Sequence, residues 1–146
     1  MEIHEIVTSD LVYWLAMRKE LWPTSTEGIL QDEMNSMMQD NRFQSFIAYI
    51  NKRPAGFIEA SIRSDYVNGT HTSPVGFSEG VFVNQEFRTQ GVARALIIQV
   101  EAWCKTVGLT ELASDTTPEN QKSIAFHHSC GLVETERVVF FSKQLT

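Results

Sequence analysis

The clearest periodic pattern of apolar and polar positions lies in residues 91–107. Apolar side chains recur there every three or four residues, at Val92, Leu96, Val100 and Trp103, and this spacing places them on one face of an α-helix. The polar residues between them fall on the opposite face, as in a surface helix that packs one side against a core. The pattern therefore predicts an amphipathic helix over residues 91–107.

Three further segments have helical spacing and helix boundary signals. Ser9 and Asp10 offer side-chain oxygens that can cap the N-terminus of the first, and Pro23 stops it. Gly131 is well placed to end the last of these helices, because glycine readily adopts the left-handed conformation that follows many helices. These signals predict helices over residues 10–21, 27–40 and 119–130.

Strand patterns occupy much of the remaining chain. Apolar residues alternate with polar ones, or form short runs between turn residues. The turn-like segment 51–54 joins two of these runs as a hairpin. Gly80 lies inside another run, and an interior glycine usually marks a bulge or a close backbone approach. We expect strands over residues 2–7, 43–50, 55–63, 76–83 and 109–114, and in the tail, residues 132–145.

The predicted order is β-α-α-β-β-β-α-β-α-β, which is typical of a mixed α/β domain whose central sheet is flanked by helices. The chain has 146 residues, enough for one domain and too few for two of ordinary size. No internal repeat, low-complexity run or linker divides it. We therefore expect a single domain over residues 1–146.

Charge narrows the classes of partner. Twelve Lys and Arg residues against 18 Asp and Glu residues give a net charge of −6 at pH 7. This balance disfavours nonspecific binding to nucleic acids or anionic membranes and favours a cationic partner. No segment is apolar enough to span a membrane, and the acidic N-terminus does not have the pattern of a secretory signal, so the expected location is the cytoplasm.

The two cysteines, Cys104 and Cys130, do not have the spacing of metal ligands, and no metal site is predicted. Neither lies in a recognisable nucleophile context. Counting alone allows one disulfide, but two ordinary thiols are expected in a reducing compartment.

The segment 79–97 carries the candidate chemistry, because a predicted strand runs there through a short loop into the strongest helix. Backbone N–H groups at a helix N-terminus are unpaired and together carry about half a positive charge. Gly91 and Ala93 are small enough for an oxyanion to approach the backbone, and Arg88 and Arg94 add two cations. The segment predicts a phosphate or pyrophosphate site; the alternative is an ordinary helix start with solvated arginines. Neither the Rossmann nor the Walker glycine pattern is present.

Several motifs resemble those of the GNAT family of N-acetyltransferases. Arg88-x-x-Gly91-x-Ala93 is similar to the acyl-CoA signature of that family, and the block 120–132 resembles a second family motif. The resemblance implies a GNAT domain that transfers an acetyl group from acetyl-CoA to the 6′-amino group of aminoglycoside antibiotics, which confers resistance. The segments that resemble the aminoglycoside 6′-N-acetyltransferases within the family are 17–23, 61–69, 79–83, 113–120 and 134–140.

For acetyl-CoA, the resemblance implies contacts along the strand and at the helix start that follows it. Val81, Phe82 and Val83 would lie along the pantetheine arm, and Asn120 would bind the arm or its acetyl end. As alternatives, the valines are ordinary strand residues and Asn120 is a reasonable helix N-cap. The pyrophosphate would lie against Arg88, Thr89, Gln90, Gly91, Val92, Ala93 and Arg94.

For the aminoglycoside, the resemblance implies acidic and aromatic contacts, which suit a substrate with several ammonium groups. Exposed ion pairs contribute only about 0–1 kcal/mol each, so several partly shielded carboxylates are needed. For Trp22 the alternative role is core packing, and for any single carboxylate the alternative is a solvated surface position. The implied residues are Trp22, Tyr66, Glu79, Asp115 and Glu136.

The expected reaction is direct attack of the amine on the thioester, without a covalent acetyl-enzyme. By resemblance, Asp115 lies near the amine as a general base or as a group that orients the ammonium; the alternative is a capping role in the turn after its strand. Many family members have a tyrosine that protonates the departing thiolate, and this chain has His127 at that position. An imidazole can donate a proton there, and a helix residue with no chemical role is the alternative.

Two rival functions stay open from the sequence alone. The chain could acetylate another amine, such as a polyamine or a protein N-terminus, or it could bind acyl-CoA without turnover. Close relatives form homodimers, so the resemblance also implies a homodimer. The apolar tail strand could pair across that interface or lie inside its own sheet.

Overall fold

The computed structural model describes all 146 residues of the chain. Its strands are β1 (Glu2–Glu5), β2 (Phe43–Ile50), β3 (Arg53–Arg63), β4 (Val75–Val83) and β5 (Leu112–Ser114). Its α-helices are α1 (Leu11–Leu21), α2 (Glu27–Met38), α3 (Val92–Thr106) and α4 (Gln121–Ser129). The predicted order is therefore present from the first strand to the last helix. None of these helices has the length and apolar character needed to cross a bilayer.

The strands form one mixed sheet in the order β1-β2-β3-β4-β5. All neighbours are antiparallel except β4 and β5, which are parallel and are joined by a crossover through α3. The hairpin between β2 and β3 turns at Asn51 and Lys52, both with positive φ, as a two-residue hairpin turn of the I′ type requires.

Helices cover both faces of the sheet. On one face, α1 and α2 pack against β2, β3 and β4, and on the other α3 packs against the same strands. Val92, Leu96 and Val100, on the predicted apolar side of α3, are at most 2% exposed. The amphipathic pattern of residues 91–107 is thus confirmed, because its apolar side packs into the core on this face of the sheet.

Strand β4 contains a bulge at the predicted position. Glu59 of β3 lies opposite Gly80, whereas the next residue, Ala60, lies opposite Ser78, so β4 has an extra residue at Glu79. A side chain at Gly80 would meet the indole ring of Trp22. The glycine therefore marks a bulge and a close approach at once, as expected.

The predicted capping role of Asp10 is wrong. Its carboxylate makes no cap hydrogen bond to α1 and is instead 3% exposed. It accepts hydrogen bonds from the N–H of Val7 at 2.9 Å and the hydroxyl of Tyr49 at 2.6 Å, and it lies 3.1 Å from Nε2 of His4. His4 of β1, Tyr49 of β2 and the backbone of Val7 take the place of the helix N–H groups as partners of the buried carboxylate.

The strand predicted in the tail is not formed within one chain. Residues 133–146 are exposed and contain neither helix nor strand. Phe140 and Phe141 are 89% and 92% exposed. A strand needs a neighbour for its backbone N–H and C=O groups, and the tail pairs with no strand of its own sheet. The alternative in which it lies inside that sheet is therefore not observed.

Candidate active site

A fork opens in the sheet between β4 and β5. The two strands pair only between residues 76–78 and 112–114. Beyond that point β4 continues to Val83 with β3 as its only neighbouring strand. On the β5 side, the backbone of residues 79–83 has no neighbouring strand. A ligand with amide groups can pair with such an edge as an added strand would. The side chain of Phe82 is buried on the α1 face of the sheet, and its backbone lies opposite Phe57 of β3, so its side chain does not line the fork.

The start of α3 lies beside the fork and presents a run of free backbone donors. Arg88 N–H donates to Gln85 and Ala95 N–H to Gly91, but the N–H groups of residues 89–94 donate to no protein atom. Gly91 precedes the helix with φ +81°, and a Cβ there would meet open space. Glycine therefore serves the backbone conformation that turns these groups outward. The arrangement fits the diphosphate of a CoA-like ligand.

Two arginines flank this helix start without ionic partners. Nε of Arg88 donates to the carbonyl oxygen of Val83 at 2.9 Å, and Nη2 of Arg94 donates to that of Ser129 at 2.6 Å. Both acceptors are neutral, so neither cation is compensated by a carboxylate. The second contact also connects α3 to the end of α4.

The aromatic candidate Trp22 forms one wall of the bulge. Its ring lies against Gly80, and the guanidinium of Arg18 stacks 4.8 Å from the ring centroid. Arg18 in turn pairs with the buried carboxylate of Glu59 at 2.5 Å. Burial raises the pKa of Glu59, and the hydrogen bonds from Arg18 and Trp14 oppose that shift. The half-buried Trp22 thus has packing contacts beneath it and is also beside the fork.

Glu79, the bulged residue, is already paired with a cation. Its carboxylate accepts hydrogen bonds from Nη2 of Arg63 at 2.7 Å and from the Ser61 hydroxyl at 2.6 Å. The sequence interpretation treated Glu79 as a free carboxylate and missed Arg63. No local signal reveals this pair, because it depends on the register of β3 and β4.

The other acidic and aromatic candidates are exposed. Asp115 directly follows β5 and accepts no hydrogen bond in the structure, so the capping alternative is not observed. Tyr66 is 77% exposed in the loop between β3 and β4. The tail approaches this loop, because a Cβ at Gly69 would meet the side chain of Thr135. Glu136 follows in the exposed tail, so its position relative to the fork depends on where the tail binds.

Two candidates on α4 have defined partners. Oδ1 of Asn120 accepts a hydrogen bond from the N–H of Ser123 at 3.1 Å, which is the N-cap alternative, while its amide nitrogen has no partner. Nε2 of His127 lies 2.8 Å from Oγ of Ser114. Ser114 lies in the segment 113–120 that resembles the family, but the sequence analysis did not single it out, because a serine at the end of a strand is ordinary. The structure contains no cluster of His, Cys, Asp and Glu side chains suited to a metal ion.

Comparisons with known proteins agree with this geometry. The sequence model of the Acetyltransferase (GNAT) family matches residues 11–132. The chain is 47% identical to an aminoglycoside N(6′)-acetyltransferase type 1 of Acinetobacter baumannii, over 99% of both chains. It shares 44% identity with the protein of that name from Acinetobacter genomosp. 13, again over 99% of both.

Two solved structures are similar over the full length. One is an apo aminoglycoside antibiotic 6′-N-acetyltransferase from Acinetobacter haemolyticus, with a TM-score of 0.94, 42% identity and complete coverage of both chains. The other is AAC(6′)-Iy in complex with the bisubstrate analogue CoA-S-monomethyl-acetylneamine. It also has a TM-score of 0.94 and 42% identity, and the match covers 99% of this chain and 98% of that one.

Proposed function

Since the chain belongs to the Acetyltransferase (GNAT) family, we propose that it is an aminoglycoside 6′-N-acetyltransferase with acetyl-CoA as the acetyl donor. The observation that carries the proposal is the run of free N–H groups at residues 89–94 beside the fork between β4 and β5. Full-length relatives named for this activity supply the acceptor class. In bacteria, acetylation of the antibiotic by this enzyme would confer resistance to it.

Acetyl-CoA supplies the thioester, and this chain's residues hold it. The backbone of Val81 and Val83 lies on the free edge of β4, where it can pair with the amides of the pantetheine arm. The N–H groups of residues 89–94 and the cations of Arg88 and Arg94 hold the diphosphate. The free amide nitrogen of Asn120 donates to the arm or to the acetyl end.

The acceptor binds through carboxylates and aromatic surfaces. Glu79 is one such group, and a substrate ammonium takes the place of the Arg63 guanidinium on its carboxylate. Asp115 has no protein partner and orients the amine that attacks the thioester. Trp22 forms the wall beside Gly80, whereas Tyr66 and Glu136 complete the rim.

We propose that the active form is a homodimer held by the tail. Residues 138–141 are two valines and two phenylalanines, all exposed in one chain. Strand β5 is the outer strand of the sheet and has one unpaired edge. The apolar tail of one subunit can add to the free edge of β5 in the other subunit. In a symmetric dimer the second tail makes the same contact with the first subunit. This pairing would also bring Glu136 to a defined position.

The cytoplasm is the proposed location, because acetyl-CoA is made and used there. The cysteines agree with a reducing compartment, since Cys104 is buried and Cys130 is half-buried, both as free thiols.

The test is a thiol-release assay with purified protein and acetyl-CoA. We expect turnover with kanamycin or tobramycin, which carry a 6′-amino group. An aminoglycoside with a 6′-hydroxyl group in its place is the matched control and should give no turnover. Mass spectrometry and NMR of the product locate the acetyl group.

Each rival function has its own outcome in this assay. Turnover with a polyamine or a peptide N-terminus, and none with the antibiotics, would replace the proposed acceptor. Binding of acetyl-CoA with no turnover for any amine would make the chain a non-catalytic acyl-CoA-binding domain. Equal turnover of the 6′-hydroxyl control would contradict the proposed site of acetylation.

A further inference from the structure

Ser114 and His127 form a hydrogen-bonded pair at the closed end of the fork. Ser114 is the last residue of β5 that pairs with β4, opposite Ser78. Its Oγ lies 2.8 Å from Nε2 of His127 and 3.2 Å from the carbonyl oxygen of Ser78. The pair therefore connects β4, β5 and α4 at the point where the two strands begin to separate.

The partners of His127 determine where its hydrogen lies. Nδ1 is 2.6 Å from the carbonyl oxygen of Ser123 and 3.3 Å from the hydroxyl of the same residue. The shorter contact is to an oxygen that can only accept, so Nδ1 carries a hydrogen and donates it there. In the neutral ring, Nε2 then has a free lone pair that accepts from the Ser114 hydroxyl. The imidazole is thus held in the tautomer that can take up a proton through Ser114.

The Ser114 hydroxyl has one hydrogen and two possible acceptors. When His127 is neutral, this hydrogen points to Nε2. When Nε2 is protonated, it donates to Oγ, and the hydroxyl hydrogen turns to the carbonyl oxygen of Ser78. Both arrangements satisfy the polar atoms of the pair, so a proton can enter or leave Nε2 without movement of a heavy atom.

We propose that Ser114 and His127 form a proton relay for acetyl transfer, an inference that rests on the proposed function. As the C–N bond forms, the amine nitrogen loses a proton to Oγ of Ser114, whose own hydrogen passes to Nε2 of His127. The C–S bond breaks, and its electron pair stays on sulfur. The proton then returns from Nε2 through Oγ to sulfur, which leaves the amide, the free thiol and neutral His127.

No carboxylate forms an ion pair with His127. Its ring packs against Phe126, with 5.7 Å between the centroids. The relay needs the neutral ring at the start, because Nε2 must accept the hydrogen of the Ser114 hydroxyl.

Steady-state kinetics of four variants and one control test the relay. Ser114→Ala and His127→Gln each remove one member, and we expect kcat for the aminoglycoside to fall about 100-fold in both. The double variant should lose no more than the stronger single variant, because the two residues act as one unit. Ser114→Thr keeps a hydroxyl and should recover most of the loss. His128→Gln, on the neighbouring position of α4, is the matched control and should keep its kcat.

Two further readouts separate a chemical role from a structural one. In the free protein, nitrogen NMR of the imidazole rings should show His127 with its hydrogen on Nδ1. The pH profile of kcat/KM should change in His127→Gln and should stay that of the wild type in His128→Gln. Calorimetry with acetyl-CoA and circular dichroism show whether Ser114→Ala is folded and binds the donor as the wild type does.

Three results would overturn the relay. They are a folded Ser114→Ala variant with kcat within about twofold of the wild type, a hydrogen on Nε2 in the neutral ring, or additive losses in the double variant. Wild-type turnover together with any of these removes the relay and leaves the proposed function. Absence of wild-type turnover removes both.

Discussion

Residues 1–109 and residues 110–146 are built in different ways. All 30 buried residues lie in the first region, the last of them being Leu109. The second region contains β5, α4 and the tail, yet none of its side chains is buried. Four of the predicted site residues lie in this exposed region: Asp115, Asn120, His127 and Glu136.

One ion pair from each region shows the same contrast in burial. Arg18 and Glu59 pair inside the first region, with side chains 3% exposed, whereas Arg137 and Glu134 pair in the tail, where they are 58% and 42% exposed. We infer that the first region holds most of the donor site, residues 81–94, together with Trp22 and Glu79 of the acceptor site. Asp115 and Glu136 of the acceptor site lie in the second region, and the position of Glu136 depends on a second subunit.

The largest effect is expected inside the first region. Glu59→Ala removes the buried carboxylate that pairs with Arg18, leaves the half-exposed Glu33 as its remaining ionic partner, and takes the acceptor from Trp14 Nε1. This should lower the free energy of unfolding by about 3 kcal/mol, the low end of the range for a broken buried pair. Urea denaturation measures this change. Glu134→Ala breaks the exposed pair in the tail and should leave the stability unchanged. Equal losses in the two variants would remove the contrast between the regions.

Next in size is the effect of the tail. Phe140→Asp combined with Phe141→Asp places charges in the proposed interface, so sedimentation should show a monomer of 16.6 kDa in place of a dimer. Aminoglycoside turnover should fall by about 100-fold, because the acceptor groups lose their positions, while acetyl-CoA affinity stays the same. Val12→Asp, at a position 68% exposed on α1, is the control and should leave the dimer intact. A wild-type monomer with full activity would contradict the proposal.

Asp115→Asn tests the acceptor half alone. Removal of the charge should lower kcat/KM for the aminoglycoside by about 10- to 100-fold, the range for a hydrogen bond to a charged group. Calorimetry should show unchanged binding of acetyl-CoA. Asp32→Asn, an exposed aspartate on α2, is the control. If drug turnover is the same in both variants, Asp115 does not belong to the site.

Gly91→Glu tests the donor half in the same way. A side chain with φ near +81° is strained, and the carboxylate repels a diphosphate, so KM for acetyl-CoA should rise by about 10-fold or more. KM for the aminoglycoside should change little. Gly28→Glu makes the same substitution on α2, where a side chain meets open space, and should be neutral. A larger change for the drug than for acetyl-CoA would contradict the division of the site.

The smallest expected effect concerns Asp10 in the first region. Burial raises the pKa of this carboxyl, but hydrogen bonds from Tyr49, Val7 and His4 outweigh it, so its pKa lies below the usual value. A lowered carboxyl pKa stabilises the fold above the unfolded pKa near 4, and this contribution is lost as the pH falls through the folded pKa. Tyr49→Phe should therefore cost about 1 kcal/mol at pH 7 and less near pH 3.

The matched control for that pH dependence is Tyr13→Phe. Tyr13 meets Tyr49 edge-on, and its own hydroxyl has no partner in the protein. Its loss should have the same small effect at both pH values. A Tyr49→Phe cost that does not depend on pH would show that the Asp10 contact does not stabilise the charged carboxylate.

Local features were predictable from the sequence because their energies depend on neighbouring residues. The amphipathic helix α3 follows from apolar spacing, and the β2–β3 hairpin follows from its turn. The free N–H groups at residues 89–94 follow from the same helix start. Motif resemblance then indicated the family, since the family's diphosphate site is itself a local segment.

Contacts between distant residues were decided only by the tertiary structure. Arg63 meets Glu79 across 16 positions, Ser114 meets His127 across 13, and Arg18 meets Glu59 across 41. Strand register and helix packing bring these partners together, and neither can be read from spacing along the chain. The tail shows the same limit, because its composition favours a strand but a strand forms only where another edge receives its hydrogen bonds.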